Sequence, residues 1–125
     1  MIRLKFESGA GGRPEYIGPA PWFRISGNVL HQGPQGNSVA AYRNHFWETR
    51  DRHFTRYVCE APATISFENT TGERSESFGP FACISCADGV MYADEEILAK
   101  LQEESVMWHC YATDSYWQIL VLSAP

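Results

Sequence analysis

The sequence predicts a mainly β fold, an antiparallel barrel or sandwich of about eight strands with one short helix near residues 94–104. A mixed α+β arrangement is the alternative. Three observations carry this expectation. Apolar and polar residues alternate with period two, most cleanly where Ala63, Ile65 and Phe67 interleave with Thr64, Ser66 and Glu68. Turn signals made of Gly, Pro, Asn and Asp separate such stretches at hairpin spacing. Aromatic residues make up 14% of the chain, a content that suits strands and well-filled cores. At 125 residues the chain is sized for a single globular domain over residues 1–125.

The elements follow in chain order. Ile2, Leu4 and Phe6 alternate with Arg3, Lys5 and Glu7 as a half-buried first strand. The glycine-rich stretch 8–14 ends it. It lacks the G-x-G-x-x-G and G-x-x-x-x-G-K-[ST] patterns of nucleotide loops and predicts a turn. Trp22 to His31 predicts a strand interrupted at Ser26-Gly27-Asn28, and Gly33-Pro34-Gln35-Gly36-Asn37 closes it. Ser38 to Thr49 and His53 to Glu60 read as two long extended segments. Ala63 to Glu68 turns at Asn69-Thr70-Thr71-Gly72 into Glu73 to Phe78. Phe81 to Ala87 and Val90 to Ala93 flank Asp88-Gly89, a strong hairpin signal because both central positions favour φ above zero.

Asp94 to Glu104 predicts the one helix. Asp94 stands as N-cap, Glu95 and Glu96 suit the first turn, and Ile97, Leu98 and Leu101 make an apolar stripe. Val106 to Ala112 and Tyr116 to Ser123 then form a last hairpin, whose second strand is apolar on both faces and therefore central.

The first twenty residues hold five charged side chains and no apolar run of signal-peptide length. The longest apolar run, Ile119 to Leu122, is far short of a bilayer span of roughly 20 residues. A cytoplasmic protein without membrane contact is the expectation, and Asn69-Thr70-Thr71 is then a turn rather than a glycosylation site. In a reducing compartment Cys59, Cys83, Cys86 and Cys110 are expected as free structural thiols. The single C-x-x-C lies in a predicted strand, where Cys83 and Cys86 point to opposite faces and share no metal. The carboxylates of 94–104 lack a calcium-loop pattern. No cofactor and no metal site is predicted.

The net charge of −5 argues against a nucleic-acid partner. It conceals an asymmetry. Residues 1–59 carry eight basic and four acidic side chains, a net of +4, while residues 60–125 carry two and eleven, a net of −9. The segment Tyr42 to Tyr57 concentrates four of the ten basic residues, two of the four histidines and five aromatics. If Ser38 to Thr49 is one strand, Arg43, His45 and Trp47 share a face. Together with His53 and Tyr57 they would form a surface for a small anionic or planar ligand or a protein partner, Arg supplying a bidentate fork. A catalytic alternative is a small acid–base hydrolase of nuclease or phosphodiesterase type using His45, Glu48, Arg50 and His53. Strand parity opposes it, since Glu48 would point away from His45. A third reading gives the acidic segment 94–104 a basic protein partner. The ligand reading expects a pocket of roughly 300 Å³ or more holding His45 or His53 with Arg43 and Trp47.

Overall fold

Period-two alternation and hairpin-length turns build two antiparallel sheets of eight strands each, packed as a sandwich, in the computed structural model, which describes residues 1–9, 11–60 and 62–125. In chain order the strands are β1 (Ile2–Glu7), β2 (Glu15–Ala20), β3 (Trp22–Ser26), β4 (Val29–Gln32), β5 (Asn37–Arg43), β6 (Phe46–Glu48), β7 (His53–Phe54) and β8 (Arg56–Cys59). They continue as β9 (Ala63–Glu68), β10 (Ser75–Phe81), β11 (Ile84–Ala87), β12 (Val90–Ala93), β13 (Glu96–Gln102), β14 (Met107–Cys110), β15 (Ser115–Trp117) and β16 (Ile119–Ser123). The first sheet runs β15-β14-β13-β12-β11-β8-β1-β2 and the second β10-β9-β16-β3-β4-β5-β6-β7. Among the described residues sixteen strands replace the predicted eight or so because several long segments divide. Ser38 to Thr49, for instance, folds back on itself between β5 and β6.

The inner faces supply the core. Leu4, Phe6, Tyr57, Ile84, Met91 and Trp108 from the first sheet meet Phe23, Ile25, Leu30, Trp47, Ile65 and Leu122 from the second, all without solvent exposure. β16 is central, as its two-sided apolar pattern predicts, and pairs with β3 and β9. Edge strands β2 and β10 carry Pro19 and Pro80. Proline withholds a donor and so blunts an edge against further pairing. Two extended segments join the layers. His53–Cys59 leaves the second sheet at Thr55, whose N–H donates to the Glu7 carbonyl at 2.9 Å, and Ser115–Ser123 crosses the other way at Gln118, whose carbonyl accepts from Gly27 N–H at 3.0 Å.

The predicted helix over 94–104 is replaced by a hairpin turn and a bulged strand. Asp94 and Glu95, at φ 49° and 71°, form the two-residue turn, and Ala93 pairs with Glu96 across it. Asp94 does cap, but it caps the hairpin: its carboxylate accepts Cys83 N–H at 3.0 Å. The register then shifts between Met91 and Tyr92, so that Ala99 faces Met91 while Ile97 faces Tyr92. That bulge buries Leu98, Ala99 and Leu101 together. Burial at i, i+1 and i+3 imitates a helical stripe, and a bulge produces it by interrupting strict alternation. Among the described residues there is no helix, and none therefore long and apolar enough to cross a membrane. None of the four cysteines forms a disulfide; Cys83 is exposed while Cys59, Cys86 and Cys110 are buried.

Candidate functional site

The local chain path around residue 44 decides which predicted residues meet. Asn44 and His45, at φ 51° and 71°, form a two-residue hairpin loop between β5 and β6. Turns with both central φ values positive match strand twist, and they favour Gly at the second position. His45 occupies that position without being Gly, a conformation that costs roughly 1–2 kcal/mol. The loop also reverses the parity expected of one continuous strand. Tyr42 pairs with Trp47 and Arg43 with Phe46, so Arg43, His45 and Trp47 share no face.

The predicted ligand surface is therefore partitioned. Trp47 and Tyr57 are fully buried core residues in edge-to-face contact at 5.1 Å, unavailable to a ligand. Arg43 and His53 remain outside, both paired to one carboxylate: Arg43 Nε lies 3.2 Å and His53 Nε2 3.3 Å from the two oxygens of Glu48. Exposed pairs of this kind contribute little to stability, and Glu48 occupies the Arg43 guanidinium that an anion would otherwise find. Arg50 lines a different depression with Glu15 and Thr49. The four residues of the hydrolase reading thus fall in three places, and His45 meets neither Glu48 nor His53.

His45 instead reaches the opposite sheet. Its Nδ1 donates to Asp88 Oδ1 at 2.5 Å, and the Tyr42 hydroxyl donates to the same oxygen at 3.1 Å. A carboxylate only accepts, so His45 Nδ1 carries the proton. Asp88 is the first residue of the Asp88-Gly89 hairpin, which forms as the sequence predicts, with φ 51° and 73°. Tyr42 is buried, while His45 and Asp88 side chains are each 71% exposed. Two hairpin tips from different sheets are thus tied by one carboxylate.

Beside this tie runs a cleft of about 630 Å³, lined by His45 and Asp88, by Lys100 and Gln102 of β13, by Glu103, and by Tyr116 of β15. The turn after β13 forms one wall and holds Val106 at φ 57°, an uncommon setting for a β-branched residue. Val106 packs on Gly27, where an added Cβ would stand 2.5 Å from Val106 Cγ1. Arg43 lines a smaller neighbouring depression of about 130 Å³ with Leu101 and Glu103.

The electrostatics follow from the tie. The hydrogen bond and charge of Asp88 raise the His45 pKa above its ordinary 6.5. The hydrogen bond from His45 lowers that of Asp88 below its ordinary 3.8, against a smaller opposing effect of burial. Burial, then Asp88, pushes the Tyr42 phenol up. The raised histidine stabilises the fold fully below 6.5 and stops doing so as pH climbs through its raised value. The lowered aspartate does so fully above 3.8 and stops as pH falls through its lowered value. The tie is strongest between about pH 4 and 6.5. In Asp88→Asn the His45 imidazole, followed by NMR, is expected to titrate nearer its ordinary value. A midpoint equal to that of the wild type would show that Asp88 is not the cause.

Asp88 and Tyr116, 43 or more positions from His45, do not stand out as site residues in the sequence, while Lys100 and Gln102 fall within the acidic segment 94–104 of the third reading. The one available signal was the Asp88-Gly89 hairpin. Among the described residues no group of three or more His, Cys, Asp or Glu could hold a metal ion. Comparisons with protein-family models, curated proteins and solved structures found no match.

Proposed function

We propose that the chain is a small ligand-binding module whose site is the cleft between the His45–Asp88 tie and Tyr116. The observation that carries this reading is the lining itself. A volume of about 630 Å³ falls within the range of small-molecule sites, roughly 300–1,000 Å³. Its walls combine one aromatic ring with donors and acceptors fixed by strand register: Lys100 and Gln102 alternate on β13, and Asp88 and His45 are held by their hydrogen bond. Such a set suits a polar, ring-shaped small molecule. Binding is favoured over hydrolysis because His45, Glu48, Arg50 and His53 do not converge, and acid–base chemistry needs its groups around one point.

The test is a titration of the isotopically labelled chain with a library of small polar molecules, read by NMR. Shifts are expected to cluster at His45, Asp88, Lys100 and Gln102. Lys100→Ala is expected to weaken the best binder by about tenfold, or 1.4 kcal/mol. Shifts scattered elsewhere, or an affinity indifferent to Lys100→Ala, would overturn the assignment.

A further inference from the structure

The rings next to the cleft indicate what kind of molecule it takes. His109 and Tyr116 are direct cross-strand partners in the β14–β15 pair. Their rings stack at 4.6 Å with an interplanar angle of 13°. Tyr111 packs on the same imidazole at 4.6 Å, tilted by 57°. His109 Nε2 lies 2.7 Å from Asp114 Oδ1, which fixes the imidazole from the turn side. The result is a three-ring ladder on the outer face of the first sheet, with Tyr111 47% and Tyr116 55% exposed. His109, which stands between Lys100 and Tyr116 in the strand order, stacks on one face of Tyr116, and Tyr116 lines the cleft. A large exposed ring held flat by a neighbour loses little freedom when a ligand stacks on it.

The polar groups around Tyr116 narrow the choice. His45 and Asp88 already compensate each other, and Lys100 shares the lining with two carboxylates, Glu103 and Glu104. A ligand with a large net charge of either sign would meet like charge in that lining. A neutral ligand bearing many hydroxyls would not, because each hydroxyl both donates and accepts. Saccharide rings have that combination: hydroxyls around the edge and a C–H face that lies on an aromatic ring.

We propose that the cleft and the Tyr111–His109–Tyr116 ladder form a saccharide-binding site, in which Tyr116 stacks under one sugar ring while Lys100, Gln102 and Asp88 take its hydroxyls. The inference rests on the ligand-binding reading above and specifies its ligand class.

The experiment titrates the labelled chain with four neutral tetrasaccharides, of β-1,4-glucan, chitin, α-1,4-glucan and mannan type, each to roughly 10 mM, enough to fill a site of about 1 mM Kd. AMP, citrate and spermidine serve as comparison ligands. At least one tetrasaccharide is expected to shift Tyr116, His109, Lys100 and Gln102. Tyr116→Ala, at an exposed position, is expected to lower that affinity by about tenfold or more. Tyr116→Phe should retain it, and Tyr16→Ala, at an exposed tyrosine of β2, should leave it unchanged. Saccharide shifts that survive Tyr116→Ala would overturn the inference. A cleft that answers to a comparison ligand and to no saccharide would remove the saccharide class and leave the binding reading standing; silence towards all seven would remove both.

Discussion

Replacement of Trp108 with alanine is expected to lower the free energy of unfolding by about 3–5 kcal/mol, equivalent to a Tm lower by about 10–20 °C for a chain of this size. Trp108 is fully buried, pairs with Trp117 on β15, and donates its indole N–H to the Gly27 carbonyl at 2.9 Å. It therefore fills volume in one sheet while holding the β3–β4 turn of the other. Alanine leaves a large cavity and removes the indole partner of that carbonyl, two costs that add. Trp108→Phe separates them, because it restores much of the volume without the donor. Urea denaturation measures both variants. A loss under about 1 kcal/mol in Trp108→Ala would mean that the surrounding side chains collapse into the space. Gly27 also packs on Val106, the residue that follows the cleft-lining turn residues Glu103, Glu104 and Ser105, so ligand affinity should fall with this variant even where it remains folded.

Tyr57→Phe carries the opposite sign and is expected to stabilise the fold by about 1–2 kcal/mol. The Tyr57 hydroxyl and the Trp47 indole N–H are both buried without a hydrogen-bond partner. Both lie against the Cys86 thiol, which acts on them without reaching regular hydrogen-bond geometry. Burial pushes that thiol up to about 12, so it remains protonated and is a weak acceptor. Phenylalanine keeps the ring contacts with Phe6 and Trp47 and removes a polar atom that lost its water on folding. Denaturation curves again decide. A destabilised Tyr57→Phe would mean that the thiol contact is worth more than the lost hydration.

The β class was legible in the sequence because alternation and turn chemistry act locally. The Asp88-Gly89 hairpin and the central placement of the last strand are both observed. Two elements misled for one shared reason: a local irregularity, a bulge in one case and a tight turn in the other, changes strand parity. The bulge at Leu98 and Ala99 imitates a helix, and the two-residue loop at Asn44-His45 turns Trp47 from an expected ligand contact into core. The sequence carries little trace of either, since the usual Gly is missing from the second position of the loops at Asn44-His45 and Asp94-Glu95. Most of the candidate site lay beyond reach on other grounds. Segment 42–57 stands out by its composition, and it does supply His45. Asp88, Lys100 and Tyr116 come to His45 only through the packing of two hairpin tips from opposite sheets, which no local pattern encodes. Tyr116 and His109 are neighbours because of strand register, and read singly each is an ordinary aromatic in a strand.

The position of β16 has a consequence in time. Among the described strands it is the last to be synthesised, yet it occupies the middle of the second sheet, with β3 on one side and β9 on the other. Until Ile119–Ser123 emerges from the ribosome, those two strands have open edges facing each other and their apolar faces lack Leu120 and Leu122. The nascent chain therefore waits, with paired hairpins but a divided layer, and completes folding only after translation has passed residue 123. For that interval it depends on whatever shields exposed strand edges in its surroundings.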